Sequence, residues 1–168
     1  MRDSRTAVEL RMHFPPVSWA VLLPAILALL SLLGIGISSY LTYVHWTDQP
    51  VACTALADCE RVAQSEYADI AGIPVAFLGL LVYVGLLGAA GAWLYYNGRG
   101  LTWPVMAFWG LSVAGVVYSV YLTYLELFVI DAICTWCVAS AALLVVLFAL
   151  STVEVWRLTQ AAHEEDWD

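Results

Sequence analysis

The sequence predicts an all-α fold, an integral membrane four-helix bundle capped by a loop and a short amphipathic half-helix. Three observations carry that prediction. Of 168 residues, 62% are hydrophobic and only 12% charged, whereas soluble domains carry about a quarter charged residues. Four stretches, Phe14–Val44, Ile70–Gly98, Gly100–Leu125 and Ala132–Val153, contain no formal charge. Each reaches the roughly 20 apolar residues that cross a hydrocarbon layer about 30 Å thick. Finally, five of the six arginines fall in segments that four crossings place on one side. The resulting expectation is a single membrane domain over 1–168, with helices at about 15–46, 74–97, 102–127 and 132–157 and one long loop at 47–73.

The first helix follows Arg2, Arg5 and Arg11, as a secretory signal does. A signal's apolar region spans only about 7–15 residues, however. Here "SLLGIGISSYLTYV" carries the apolar character on to Trp46, so a retained helix is expected. Pro24, inside it, predicts a kink or a later start. The loop follows, and its portion "DCERVAQSEYADI" spaces Val62, Ala63, Tyr67 and Ile70 for a short amphipathic helix that Gly72 and Pro74 then end. A loop this long is usually functional, and over the mouth of a bundle it would be a lid. Pro74 and Pro104 mark the first turns of the second and third helices, where a missing N–H costs little. The fourth helix is expected to start from Asp131 as N-cap. Trp19, Trp46, Tyr95, Tyr96, Trp103 and Trp156 fall near the interfaces, an ordinary aromatic belt. His13, His45 and His163 show no ligand-like spacing.

The chain has six arginines, no lysine and a net charge of −8. Arg2, Arg5, Arg11, Arg99 and Arg157 lie in the three segments that four helices place on one side, which the positive-inside rule makes cytoplasmic. Both termini are therefore expected in the cytoplasm. Arg61 alone falls in the loop, among Asp48, Asp58, Glu60, Glu66 and Asp69, and that loop is expected outside. An acidic chain without a basic patch is not a nucleic-acid binder.

Cys53 and Cys59 lie in the outer loop, and Cys134 and Cys137 at the outer end of the fourth helix. All four thus occupy the face where disulfides form and persist. On a helix, residues three apart hold their β-carbons roughly 5–6 Å from each other. A relaxed disulfide prefers about 3.8 Å, so a Cys134–Cys137 bridge requires local adjustment and is readily reduced. With Asp131 as N-cap, Cys134 becomes the third helical residue. There the amide dipoles favour a thiolate, and the charge of Asp131 opposes it. Three uses of four such thiols are open. They could form structural disulfides in a non-enzymatic membrane scaffold. They could hold zinc, although nothing else here resembles a zinc ribbon, and no metal is expected. Or they could exchange disulfides, which needs one mobile pair and one fixed pair beside an electron sink. A loop pair and a helix-end pair on one face favour the third.

The ordered set "ACTALADC", Ser65, "GIPVAFLGLLVY" and "AICTWCVAS" resembles the vitamin K epoxide reductase family in its bacterial form. That resemblance implies a thiol–disulfide oxidoreductase that encloses a membrane quinone of the menaquinone, ubiquinone or vitamin K type. It implies that Cys53 and Cys59 are the shuttle pair, taking electrons from a thioredoxin-fold partner on the extracytoplasmic side. Cys59 would bridge transiently to Cys134, leaving Cys137 beside the quinone as direct donor, with Ser65 near the quinone head. Two departures qualify it. The fused thioredoxin-like domain of many bacterial members is not in this sequence, so the partner is expected to be a separate protein. The animal enzymes carry a tyrosine four residues after the second active-site cysteine, where this chain has Ala141, so quinone reduction is the firmer expectation than epoxide reduction. The disulfide bond formation protein B family has its two cysteine pairs in the reverse order. A bacterial plasma membrane is the expected location; an endoplasmic reticulum membrane satisfies the same topology.

Overall fold

A computed structural model describes residues 17–53, 58–70, 72–96 and 102–165. Arg2, Arg5, Arg11, Arg99 and His13 lie outside the described residues. In chain order come α1 (Val17–Trp46), α2 (Cys59–Ala63), β1 (Asp69–Ile70), β2 (Ile73–Pro74), α3 (Val75–Tyr96), α4 (Trp103–Leu125) and α5 (Thr135–Glu165). The last turn of α4 widens into a π-helix, Glu126–Ile130. Four of these helices, α1, α3, α4 and α5, are long and apolar enough to cross a membrane. The expected all-α membrane bundle is what the chain forms.

The helices are apolar around their whole circumference, and the outward faces show it. Leu29, Leu33, Val117 and Val120 are each more than 60% exposed, an apolar exterior far beyond what a water-soluble monomer tolerates. Inside, α1 packs chiefly on α3, and α4 packs on both α3 and α5. Leu27, Leu86, Phe108 and Leu147 are fully buried at the centre. Hydrocarbon outside removes most of the hydrophobic incentive for helices to associate, so small and polar residues make the seams. Ser112 of α4 faces Ser151 of α5 at 3.3 Å, and the Trp109 indole N–H donates to the Thr152 hydroxyl at 3.1 Å.

The seam between α1 and α3 depends on one small residue. Gly34 of α1 lies against the ring of Tyr83, which is 1% exposed. A β-carbon at position 34 would overlap that ring. Held there, the Tyr83 hydroxyl reaches Ser140 of α5, 3.0 Å from its carbonyl and 2.9 Å from its Oγ. Gly34→Ala is therefore expected to destabilise the bundle by about 1–3 kcal/mol, the usual cost of overpacking. Reversible unfolding in mixed micelles checks this; wild-type stability would show that the seam does not need glycine.

Several boundaries differ from those read in the sequence. α1 runs unbroken from Val17 through Pro24, so the proline does not mark a later start. The half-helix is only five residues long, because the Ser65 amide and hydroxyl both turn back onto the Val62 carbonyl, at 3.2 and 2.8 Å. Tyr67 and Ile70 follow it instead of extending its apolar face. Gly72 does not simply end a helix. At φ +79° it occupies the turn of a small antiparallel hairpin pairing Ile70 with Ile73, a conformation glycine adopts at no steric cost. Pro74 closes that hairpin one residue before α3.

Asp131 is not the N-cap of the last helix. It sits in the left-handed region at φ +53° and terminates the π-helix, while the next amide, Ala132 N–H, donates to the Glu126 carbonyl at 3.1 Å. Continuing α4 to Ile130 uses up the residues that were expected to form a link. The last helix consequently starts at Thr135, three residues later than the sequence suggested.

Candidate active site

Up-and-down packing brings the C-terminal ends of α1 and α4 and the N-terminal ends of α3 and α5 to one end of the bundle, where the loop also lies. All four cysteines are there. Cys53 and Cys59 are joined in a disulfide, and Cys134 and Cys137 are free thiols. Cys53 is exposed, whereas Cys59, the first residue of α2, is 1% exposed. Two local bonds seat α2. The Asp58 side chain caps it by accepting the Arg61 amide at 3.3 Å, and the Asp58 amide donates to the Ile133 carbonyl at 3.1 Å. The second bond ties the start of α2 to the residue before Cys134.

The other end of the loop segment is gripped as firmly. The Ala52 amide donates to the Tyr40 hydroxyl at 3.0 Å, and the Ala52 carbonyl accepts the Trp136 indole N–H at 2.8 Å. The two rings lie against each other with centroids 5.2 Å apart. Trp136 is one of the two residues between the helical cysteines, so the C-x-x-C turn itself holds the residue before Cys53.

Cys134 takes the capping position that the sequence had assigned to Asp131. Its carbonyl accepts the first helical bond, from Val138 N–H at 3.0 Å, and its sulfur accepts the Cys137 N–H at 3.3 Å. A sulfur standing in for the usual cap oxygen satisfies one of the orphan amides of a helix start. The Cys137 thiol also hydrogen-bonds this sulfur, and that bond, with the amides of Cys137 and Trp136, brings the Cys134 thiol below its ordinary value; burial and the nearby Glu126 charge oppose the effect. The sign is that of a thiolate stabilised more than its thiol, so Cys134 ionises at lower pH than a free cysteine, whose value is about 8.5. Ultraviolet thiolate absorbance, taken as reduced wild type minus Cys134→Ser, should titrate below that value. In Cys137→Ala the midpoint should move up, because the donor is gone. An unmoved midpoint would assign the effect to the helix start alone.

Beneath the loop is a cavity of about 330 Å³, with walls that are mostly aliphatic. Cys59, Cys134 and Cys137 all open onto it, together with Ser65, Tyr83 and Glu126. The geometry therefore gathers four of the five residues singled out in the sequence, with Cys53 standing outside at the exposed rim. Ser65 is half-buried on the wall, and its hydroxyl proton is committed to the Val62 carbonyl; it offers the cavity lone pairs unless it rotates. Ala141 also lines the wall, so the position where the animal enzymes have a phenol carries a methyl. Mostly aliphatic walls with a few polar groups match the usual form of a small-molecule site. His45, unassigned in the sequence, lies on the same wall and pairs with Asp69 of β1 at 3.1 Å.

Sequence reasoning missed Glu126. It is 5% exposed, and one carboxylate oxygen accepts the Cys134 amide at 3.2 Å. The same carboxylate opens onto the cavity beside Cys137. A signal was present: Glu126 is the one acid between Gly100 and Ile130, and an ionisable residue within a membrane span is a functional candidate by default. The charge-free stretch ends at Leu125, which places Glu126 just outside it, beside the link to the last helix. The Tyr40–Trp136 grip on Ala52 carried no local signal, since its parts are far apart in sequence.

Compared with known families, residues 25–152 match the family model described as the vitamin K epoxide reductase family.

Proposed function

The chain belongs to the vitamin K epoxide reductase family, and from that premise we propose that it oxidises a thioredoxin-fold partner and reduces a membrane quinone, driving disulfide bond formation. The observation that carries this reading is the single cavity onto which Cys59, Cys134 and Cys137 open, with Cys53 exposed outside it. A partner thiolate attacks the exposed end of the Cys53–Cys59 bridge. Cys59, released inside, attacks an oxidised Cys134–Cys137 pair at Cys134 and frees Cys137. The partner's second thiol then attacks its mixed disulfide with Cys53, so the partner leaves oxidised. The freed Cys53 attacks Cys59 of the Cys59–Cys134 bridge, which reforms Cys53–Cys59 and leaves Cys134 and Cys137 reduced.

A quinone bound in the cavity supplies a two-electron, two-proton acceptor. Cys137 and Ser65 would hold its head, and the aliphatic walls would exclude water from the sulfurs. In this scheme the loop faces the extracytoplasmic side of a bacterial plasma membrane, where an oxidised loop pair persists.

The test is reconstitution. Purified protein in lipid discs is supplied with a reduced thioredoxin-fold protein and a soluble menaquinone or ubiquinone analogue, and hydroquinone formation is followed. Turnover that requires both is expected; no turnover with any quinone would remove the reading. Vitamin K epoxide is the second substrate to supply, as the family description invites it. Preferential turnover of the epoxide would make the chain a vitamin K cycle enzyme.

A further inference from the structure

We propose that Glu126 is the proton carrier of this site, taking protons from the reduced cysteine pair and delivering them to the quinone. The inference rests on the electron route proposed above and adds the proton route that it needs.

A buried carboxylate at a membrane span end is expensive to keep, and Glu126 has no arginine partner among the described residues. Its hydrogen bond goes to the reacting turn, from the Cys134 amide at 3.2 Å, and it opens onto the same cavity as both free cysteines. The Cys137 amide in turn donates to the Cys134 sulfur at 3.3 Å. Carboxylate and both sulfurs thus lie together on one stretch of the cavity wall. The other titratable groups facing this cavity are His45 from α1, Tyr67 from the loop, Tyr83 from α3 and Tyr118 from α4. None of them is hydrogen-bonded to either free thiol. Tyr83 is committed to Ser140, and His45 to Asp69.

The chemistry requires such a group. Oxidising the pair breaks two S–H bonds and forms one S–S bond, and two electrons and two protons leave for the acceptor. Glu126 takes the proton of Cys137, whose sulfur opens onto the same cavity, and passes it to one quinone oxygen. The second proton, the one Cys134 gives up as it ionises, reaches the same carboxylate once the first has been delivered and goes on to the second oxygen. Glu126 ends in the charge state in which it began, the hydroquinone carries both protons, and Cys134–Cys137 is oxidised.

Glu126→Gln tests this, since the amide oxygen can still accept the Cys134 N–H but cannot carry a proton. General acid–base groups contribute about 10²- to 10⁴-fold, so hydroquinone formation should slow by that range. Glu126→Asp should recover part of it. The pH profile of the quinone step should lose the limb that belongs to the carboxylate, while reduction of the loop disulfide by the partner keeps its wild-type rate. A wild-type rate and profile in Glu126→Gln would overturn the proposal, and so would equal slowing of both half-reactions, which marks a structural role. The electron route fails separately: it falls if Cys137→Ala still reduces quinone, whatever Glu126→Gln does.

Discussion

Cys137→Ala is expected to stop quinone reduction altogether, lowering turnover by about three orders of magnitude or more, as loss of an essential nucleophile does in other enzymes. Cys137 is the third residue of α5, opens onto the cavity that Glu126 also lines, and donates its amide N–H to the Cys134 sulfur. Without it Cys134 has no partner with which to close a disulfide, and its sulfur alone cannot give up two electrons. The Cys134 thiolate should instead attack the Cys53–Cys59 disulfide at Cys59 and release Cys53, giving a Cys59–Cys134 bridge visible as a shift on non-reducing gels that is lost in Cys137→Ala/Cys134→Ser. Stopped turnover together with a trapped bridge is the expected pair of results. Undiminished turnover would place the donating sulfur elsewhere.

The second large effect separates the two cysteine pairs by the size of the reductant. In Cys53→Ser/Cys59→Ser, turnover driven by a reduced thioredoxin-fold protein should fall about as far, whereas turnover driven by dithiothreitol should stay within a few-fold of wild type. The reason is access. Cys134 is 3% exposed, beneath the segment that begins α2, and a folded partner cannot bring a thiol to it. Cys53 is exposed, and a small dithiol can enter the cavity that a protein cannot. Equal loss with both reductants would mean that the loop disulfide holds the bundle together and carries no electrons, which is the scaffold reading.

What the sequence revealed and what it concealed follow from the range of the forces involved. Four spans were legible because a hydrocarbon layer demands about 20 apolar residues per crossing, a local property of the chain. That the cysteines share one end followed from counting helices. The start of the last helix was not legible, because Asp131 and Cys134 can both cap. The choice between them was made by α4, which continues to Ile130 and needs a left-handed residue to turn out of it. Glu126 lost its due weight through the same error in where α4 ends. The contact of Gly34 with Tyr83, and the bond from Tyr83 to Ser140, join three helices whose spacing along the chain announces nothing.

Ala52 hangs from both of its backbone polar groups, its N–H on Tyr40 and its carbonyl on Trp136. Trp136 belongs to the turn whose two sulfurs must draw together to form a bridge and relax apart when it is broken. A change in that turn is transmitted through one indole to the peptide next to Cys53. Under the function proposed above, the exposed cysteine that a partner thiol would reach is thus tied, through one peptide, to the turn that carries the buried pair.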